Sequence, residues 1–231
     1  MESLARSEQA AREAIGPAQR RRTEPAAVIR ALKPEAGIRR GYSKEPSSLA
    51  IAYQPHRFSR AEYYAIADSL DPSLRYELVN GTIYAMSPAK PAHAGVVTFF
   101  ANRFRGLDAA KYLIRMQETL EIEPDSSPQP DIAIVAFRDD YYGASHPNGS
   151  DAALVIEVGD TERKPREKMR DYMRDGRIPT AWRIDIPNRR VELWEPSDVE
   201  HPIQLLHGSD AFGFVGVSFT VDEVFGTVLK R

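Results

Sequence analysis

The chain has 231 residues, of which 42% are hydrophobic and 28% charged, as is typical of a soluble globular protein. It has no cysteine, which excludes disulfides, thiolate nucleophiles and cysteine-based zinc sites and fits a reducing compartment such as the cytoplasm. The net charge of −2 argues against a wholly basic nucleic-acid binder, and no apolar run reaches the roughly 18 residues that a membrane-spanning helix needs.

The first 50 residues differ from the rest in charge and hydrophobicity. They contain ten Lys or Arg and six Asp or Glu, about +4 by count, which leaves −6 for the remainder. Large apolar residues are few, so we predict that residues 1–52 form a disordered basic N-terminal arm and that residues 53–231 form the folded domain. The arm is either a solvated tail or a contact to DNA, and the sequence leaves both open.

Periodicity in the first half of the domain predicts helix, hairpin, helix and strand. Apolar residues recur at helical spacing over 58–70. The dipeptide Asn80-Gly81 separates two short strand-like runs and favours the type I′ turn of a hairpin. A second helix is predicted over 90–107 and a strand over 112–122.

The second half reads as strands separated by one long helix. Strands are predicted over 131–137 and 152–158, followed by a helix over 163–175. The remaining predicted elements are strands at 180–186, 190–195 and 202–206 and a helix at 220–226. Together they predict an α+β fold, with a mixed, mostly antiparallel sheet flanked by helices.

Two carboxylates stand at the ends of apolar strands. Asp131 begins one strand and Glu157 lies near the end of the next, so antiparallel pairing would place them side by side. Adjacent like charges repel unless a cation lies between them, and Mg²⁺ suits two carboxylates with open coordination. Lys168, on the following helix, could reach the pair and balance its charge.

An ordered set of segments resembles the PD-(D/E)XK nuclease core, and within it the Uma-type putative restriction endonuclease family. The pattern includes Pro130-Asp131 followed by Glu157, and the likeness extends over roughly residues 55–200. The matching segments are YELVNGTIYAMSPAKPAHAG (76–95), RMQETLEI (115–122), QPDIAIV (129–135), LVIEVGD (154–160), EKMRDYMRDGRIPTAWRID (167–185) and RRVELWE (189–195).

This resemblance implies a restriction-endonuclease-like core and an endonuclease that hydrolyses DNA phosphodiester bonds with Mg²⁺, or Mn²⁺, as cofactor. Asp131, Glu157 and the backbone carbonyl of Val158 would bind the metal. Gly159 stands where the motif has its lysine, and Lys168 would take over that role.

Three further residues match the family. Glu77 would be an outer acidic residue of the catalytic set, and Gln117 would hold water or orient a carboxylate. His93 matches a histidine at a helix start. A homodimer is expected, because one active site cuts only one strand.

The chain also departs from the family pattern. Lys164 stands where an acidic residue is usual, and Thr180-Ala181 replaces a Glu-Tyr pair. A module that binds nucleic acid or protein without catalysis, on the same fold, is therefore the alternative, because fold does not fix function.

Several residues have a structural interpretation beside the functional one. Glu157 could pair with a structural arginine, Arg166 or Arg183, and Lys168 could be a solvated helix residue. The loop between the two site strands contains Tyr141-Tyr142, which could stack on bases or contact another protein copy.

Overall fold

The computed structural model describes residues 55–159 and 164–229. The predicted N-terminal arm, residues 1–52, lies outside the described residues, so its disorder remains a prediction.

The described chain opens with a short helix and a hairpin. Helix α1 spans Arg60–Ala67, and strands β1 (Arg75–Val79) and β2 (Thr82–Met86) pair antiparallel. Asn80 and Gly81 form the turn with φ values of 51° and 72°, the left-handed backbone that a type I′ turn requires. The predicted hairpin is confirmed.

The next elements are β3 (Tyr112–Arg115), β4 (Ile132–Ala136), β5 (Ala152–Gly159), helix α3 (Lys164–Asp175), β6 (Ala181–Asp185), β7 (Arg190–Trp194) and β8 (Gln204–His207). The six strands form one sheet at the centre of the domain, in the order β3-β4-β5-β6-β7-β8. Of its five pairings only β5–β6 is parallel, because helix α3 crosses over between these two strands, so the mixed, mostly antiparallel sheet is confirmed.

Helices cover both faces of the sheet. Helix α2 (Pro91–Arg103), a hairpin of β9 (Ala211–Phe214) and β10 (Val217–Thr220), and helix α4 (Val221–Val228) share one apolar cluster with the first face. Helix α3 packs on the other face. Because β5 is covered on both sides, nearly all of its residues are buried, which explains its continuous apolar run. No helix in the described part of the chain is long and apolar enough to cross a membrane.

The chain path differs from the predicted one in two places. The strand expected over 112–122 ends at Arg115, because Gln117 adopts φ 54°, outside the range of a strand. The β9–β10 hairpin was not predicted, since its turn places a β-branched residue, Val215, at φ 44° beside Gly216.

Candidate active site

The two carboxylates lie on neighbouring strands at the same level of the sheet. Strands β4 and β5 pair antiparallel with Ile132 opposite Ile156. Asp131 directly precedes Ile132 and Glu157 directly follows Ile156, so the two carboxylates lie side by side. Both carboxylates are buried, and so are the flanking isoleucines. The pairing that the sequence predicted therefore creates a buried, like-charged pair.

Helix α3 brings a lysine to this pair. Met169, Tyr172 and Met173 bury the inward face of the helix against the sheet, and Lys168 precedes them by one residue. Lys168 Nζ lies 2.8 Å from Glu157 Oε1 and 3.1 Å from Glu77 Oε2, and its side chain is 13% exposed. The interpretation of Lys168 as a solvated helix residue is wrong.

Glu77 reaches the site from the β1–β2 hairpin. Besides Lys168, its Oε2 accepts a hydrogen bond of 3.1 Å from the backbone N–H of Gln129, in the segment just before β4. The side-chain amide of Gln129 in turn donates to the carbonyl of Tyr76 at 2.8 Å. This segment thus fixes the position of a carboxylate that lies far from it in sequence.

Asp131 is held through a single oxygen. Its Oδ2 accepts a 2.8 Å hydrogen bond from the Val158 N–H and lies 3.0 Å from Nε2 of His93, at the start of α2. The contact of Val158 therefore involves its N–H, and the metal-binding role expected for its carbonyl remains a prediction.

Glu157 is likewise held through one oxygen. Its Oε1 lies near Lys168 and accepts a 2.6 Å hydrogen bond from the Tyr172 hydroxyl. Within the described residues, neither Glu157 Oε2 nor Asp131 Oδ1 has a hydrogen bond or an ion pair. Each carboxylate thus keeps one oxygen available for a ligand.

The electrostatics of the site favour an additional cation. Burial raises the pKa of Glu157 to about 7; Lys168 opposes the rise, and Asp131 and Glu77 add to it. Burial by itself would lower the pKa of Lys168, but Glu157 and Glu77 outweigh burial and raise it, so the lysine remains charged. One lysine thus faces three carboxylates, and a divalent cation would relieve the remaining repulsion.

Gln117 lies beside Asp131 but contacts its backbone. The N–H of Gln117 points to the carbonyls of Pro130 and Asp131, at 3.0 and 3.3 Å. Its side-chain Oε1 accepts a 2.9 Å hydrogen bond from Arg75, which also contacts Gln129. Arg75 and Gln129 were not predicted, because nothing in their local sequence indicates that the hairpin docks here.

The arginines proposed as structural partners of Glu157 pair elsewhere. Arg166 and Arg183 each lie 2.8 Å from Oε1 of Glu192, and Arg190 lies 3.1 Å from the same oxygen. Arg183 also pairs with buried Asp185 at 3.0 Å. Glu157 therefore has Lys168, and no arginine, as its cationic partner among the described residues.

The donor set fits a magnesium ion better than a closed transition-metal site. The described residues contain no group of three His, Cys, Asp or Glu side chains that could hold a metal. They do offer two adjacent carboxylates, each with one available oxygen. Mg²⁺ is commonly bound by one or two carboxylates and keeps several waters, so these residues fit it.

Comparison with known proteins identifies the family of the chain and supports its fold. Residues 60–216 match the family Uma2, described as "Putative restriction endonuclease". A crystal structure of "a putative nuclease belonging to DUF820" from Anabaena variabilis superimposes with a TM-score of 0.59 at 13% identity, covering 74% of this chain and 99% of that one. No curated protein matches.

Proposed function

Because the chain belongs to the Uma2 family, we propose that it is a Mg²⁺-dependent endonuclease that hydrolyses DNA phosphodiester bonds. The observation that carries the proposal is the position of Lys168, which bridges Glu77 and Glu157 next to Asp131. A buried lysine beside paired carboxylates is the set of charges that metal-assisted phosphodiester hydrolysis needs.

In this proposal, Asp131 and Glu157 would hold the ion through their available oxygens, together with the carbonyl of Val158. Bound Mg²⁺, or Mn²⁺ in its place, supplies polarisation of the phosphate and a water of lowered pKa. Lys168 orients the attacking water and stabilises the negative charge that develops on the phosphate.

The surrounding residues act by holding these groups in place. The Val158 N–H and His93 fix one oxygen of Asp131, so the other oxygen would be the one to bind the ion. The Tyr172 hydroxyl does the same for Glu157. Glu77 forms a second ion pair with Lys168 and is the outer acidic residue of the catalytic set.

Cleavage of supercoiled plasmid by the full chain, with Mg²⁺ or with EDTA, tests this function. We expect cutting that requires metal and disappears in Asp131→Asn. Asp68→Asn, at the exposed C-terminal end of α1, is the matched control and should cut like the wild type. RNA and small phosphodiesters, tested in parallel, define the substrate class.

A wild-type protein that binds no metal and cuts none of these substrates would contradict the proposal. The binding module without catalysis would then be the better account. The same proposal includes action as a homodimer, in which two sites cut two strands, and light scattering tests it. It also includes a cytoplasmic location, which cell fractionation tests.

A further inference from the structure

A row of charged side chains crosses the sheet beside the candidate active site. The strand register places Arg183 of β6 opposite Glu157 of β5, and Glu192 of β7 opposite Arg183. Residues paired in this way point to the same face of a sheet. That face is the one covered by α3, because Lys168 of this helix contacts Glu157 and Arg166 contacts Glu192. Neighbouring strands lie about 4.8 Å apart, so Glu192 lies roughly 10 Å from Glu157.

Three guanidiniums converge on the carboxylate of Glu192. Nη2 of Arg166 and Nη1 of Arg183 each lie 2.8 Å from its Oε1, and Nη2 of Arg190 lies 3.1 Å from the same oxygen. Glu192 and Arg183 are fully buried, so solvent does little to screen the repulsion among these cations. An anion beside them would reduce that repulsion, as a cation would among the carboxylates at Glu157.

Arg166 is the member of this group that can take a further ligand at the surface. Its side chain is 43% exposed, and within the described residues its one polar contact is that of Nη2 with Glu192. Arg190, by comparison, pairs with Asp185 as well as with Glu192. A guanidinium carries five N–H donors in a planar fork, so Arg166 can bind a second anion without leaving Glu192.

We propose that Arg166 binds a backbone phosphate of the DNA strand that lies in the candidate active site; the inference rests on the proposed function. A guanidinium can donate two parallel hydrogen bonds to a phosphate, which favours arginine at such contacts. The ion pair with Glu192 holds the guanidinium in one orientation before DNA binds. Arg166 is thus a substrate-binding residue outside the metal site.

The spacing of the two charged groups suits a phosphodiester strand. The carboxylates at Glu157 favour a cation, and the guanidiniums at Glu192 favour an anion roughly 10 Å away. Successive phosphates of one DNA strand advance by about 3.4 Å along the helix axis. A strand with one phosphate at a metal ion beside Glu157 therefore brings phosphates within reach of Arg166.

Arg174, on the same helix, provides a matched control. It follows Arg166 by eight residues, or about 12 Å along the helix axis, which takes it away from the charged row. Its side chain is 47% exposed, close to the exposure of Arg166. It pairs with Glu200 at 2.9 Å and with Asp171 at 3.3 Å, so two carboxylates compensate its charge.

The test measures how DNA binding depends on salt, separately from cleavage. The full chain carrying Asp131→Asn is titrated with a fluorescent blunt duplex at several KCl concentrations and constant Mg²⁺. Adding Arg166→Gln should weaken binding about tenfold at low salt, the loss expected for one charge-assisted hydrogen bond. The slope of log affinity against log salt should become shallower by about 0.9, the value for one phosphate contact. Adding Arg174→Gln should change neither quantity.

A conservative variant and two further measurements separate this contact from a structural role. Arg166→Lys keeps the charge but loses the planar fork, so it should restore the salt slope and only part of the affinity. Arg166→Gln should melt close to its parent, because Arg183 and Arg190 still pair with Glu192. In plasmid cleavage by the chain with Asp131 intact, Arg166→Gln should raise KM.

Three results would overturn the phosphate contact. These are an unchanged salt slope in Arg166→Gln, an equal loss of affinity in Arg174→Gln, or a lower melting temperature of Arg166→Gln with DNA affinity unchanged. Plasmid cleavage by the wild type tests the nuclease function independently. Cutting together with an unchanged slope in Arg166→Gln overturns the phosphate contact alone, whereas a shallower slope in a chain that never cuts overturns the nuclease function alone.

Discussion

Replacing Lys168 with methionine should separate metal binding from catalysis. The variant keeps the length of the side chain but removes the cation that lies 2.8 Å from Glu157 and 3.1 Å from Glu77. Both carboxylates then remain buried without their partner. Breaking a buried ion pair by removing one member costs about 3 kcal/mol or more, and the low exposure of the lysine leaves little solvent screening to reduce this cost.

Three measurements follow from this change. Without metal, urea denaturation should show a loss of about 3 kcal/mol in the free energy of unfolding. Plasmid cleavage should fall at least about 100-fold, as for the loss of one preorganised group that stabilises transition-state charge. The Mg²⁺ affinity of the variant, measured by calorimetry, should equal or exceed that of the wild type, because a positive charge beside the metal site has been removed.

The matched control for this prediction is Lys111→Met. Lys111 is 72% exposed and pairs with Asp108 at 3.5 Å, so its replacement should affect neither stability nor cleavage. The reasoning is refuted if Lys168→Met cuts at the wild-type rate. It is equally refuted if the variant loses Mg²⁺ binding as completely as Asp131→Asn does.

Three other substitutions test the buried charges. Burial raises the pKa of Glu157 from 4.5 to about 7, so the cost of its ionisation to folding grows as the pH rises from about 4.5 to about 7 and is complete above that range. Glu157→Gln should therefore not lower the metal-free melting temperature at pH 8, and it should abolish the upward shift that Mg²⁺ produces in the wild type. Tyr172→Phe removes a buried 2.6 Å hydrogen bond to a carboxylate, which should cost about 2 kcal/mol in urea denaturation and slow cleavage while the substrate affinity is kept. Glu192→Gln leaves three arginines facing a neutral amide, so the free energy of unfolding in urea should fall by about 3 kcal/mol. The Mg²⁺ affinity should not change. A loss of Mg²⁺ affinity in this variant would show that the arginine cluster belongs to the metal site.

The sequence was sufficient to predict the central pairing of the site. Asp131 stands at the start of one strand and Glu157 near the end of the next, and antiparallel pairing places such a start beside such an end. The position of Lys168 followed from helix spacing together with the family resemblance. Such local rules work where the relevant elements are consecutive in the chain and the connections are short.

The rest of the site depends on tertiary docking that no local pattern encodes. Gln129 holds Glu77 across 52 positions, and Arg75 reaches Gln117 across 42. The apolar alternation of residues 112–122 continues past Arg115, yet the chain turns at Gln117. Adjacent Tyr141 and Tyr142 look equivalent in the sequence, and only the left-handed turn makes one exposed and the other buried.

The central claim is that the Asp131–Glu157 pair holds the metal that DNA cleavage requires. A Mg²⁺ titration of plasmid cleavage by the wild type beside Glu157→Gln tests it most directly. The account predicts a rate that rises with Mg²⁺ and saturates in the wild type, and no cleavage at any Mg²⁺ concentration in the variant. Equal rates in the two proteins, or wild-type cleavage that persists in EDTA, would contradict it.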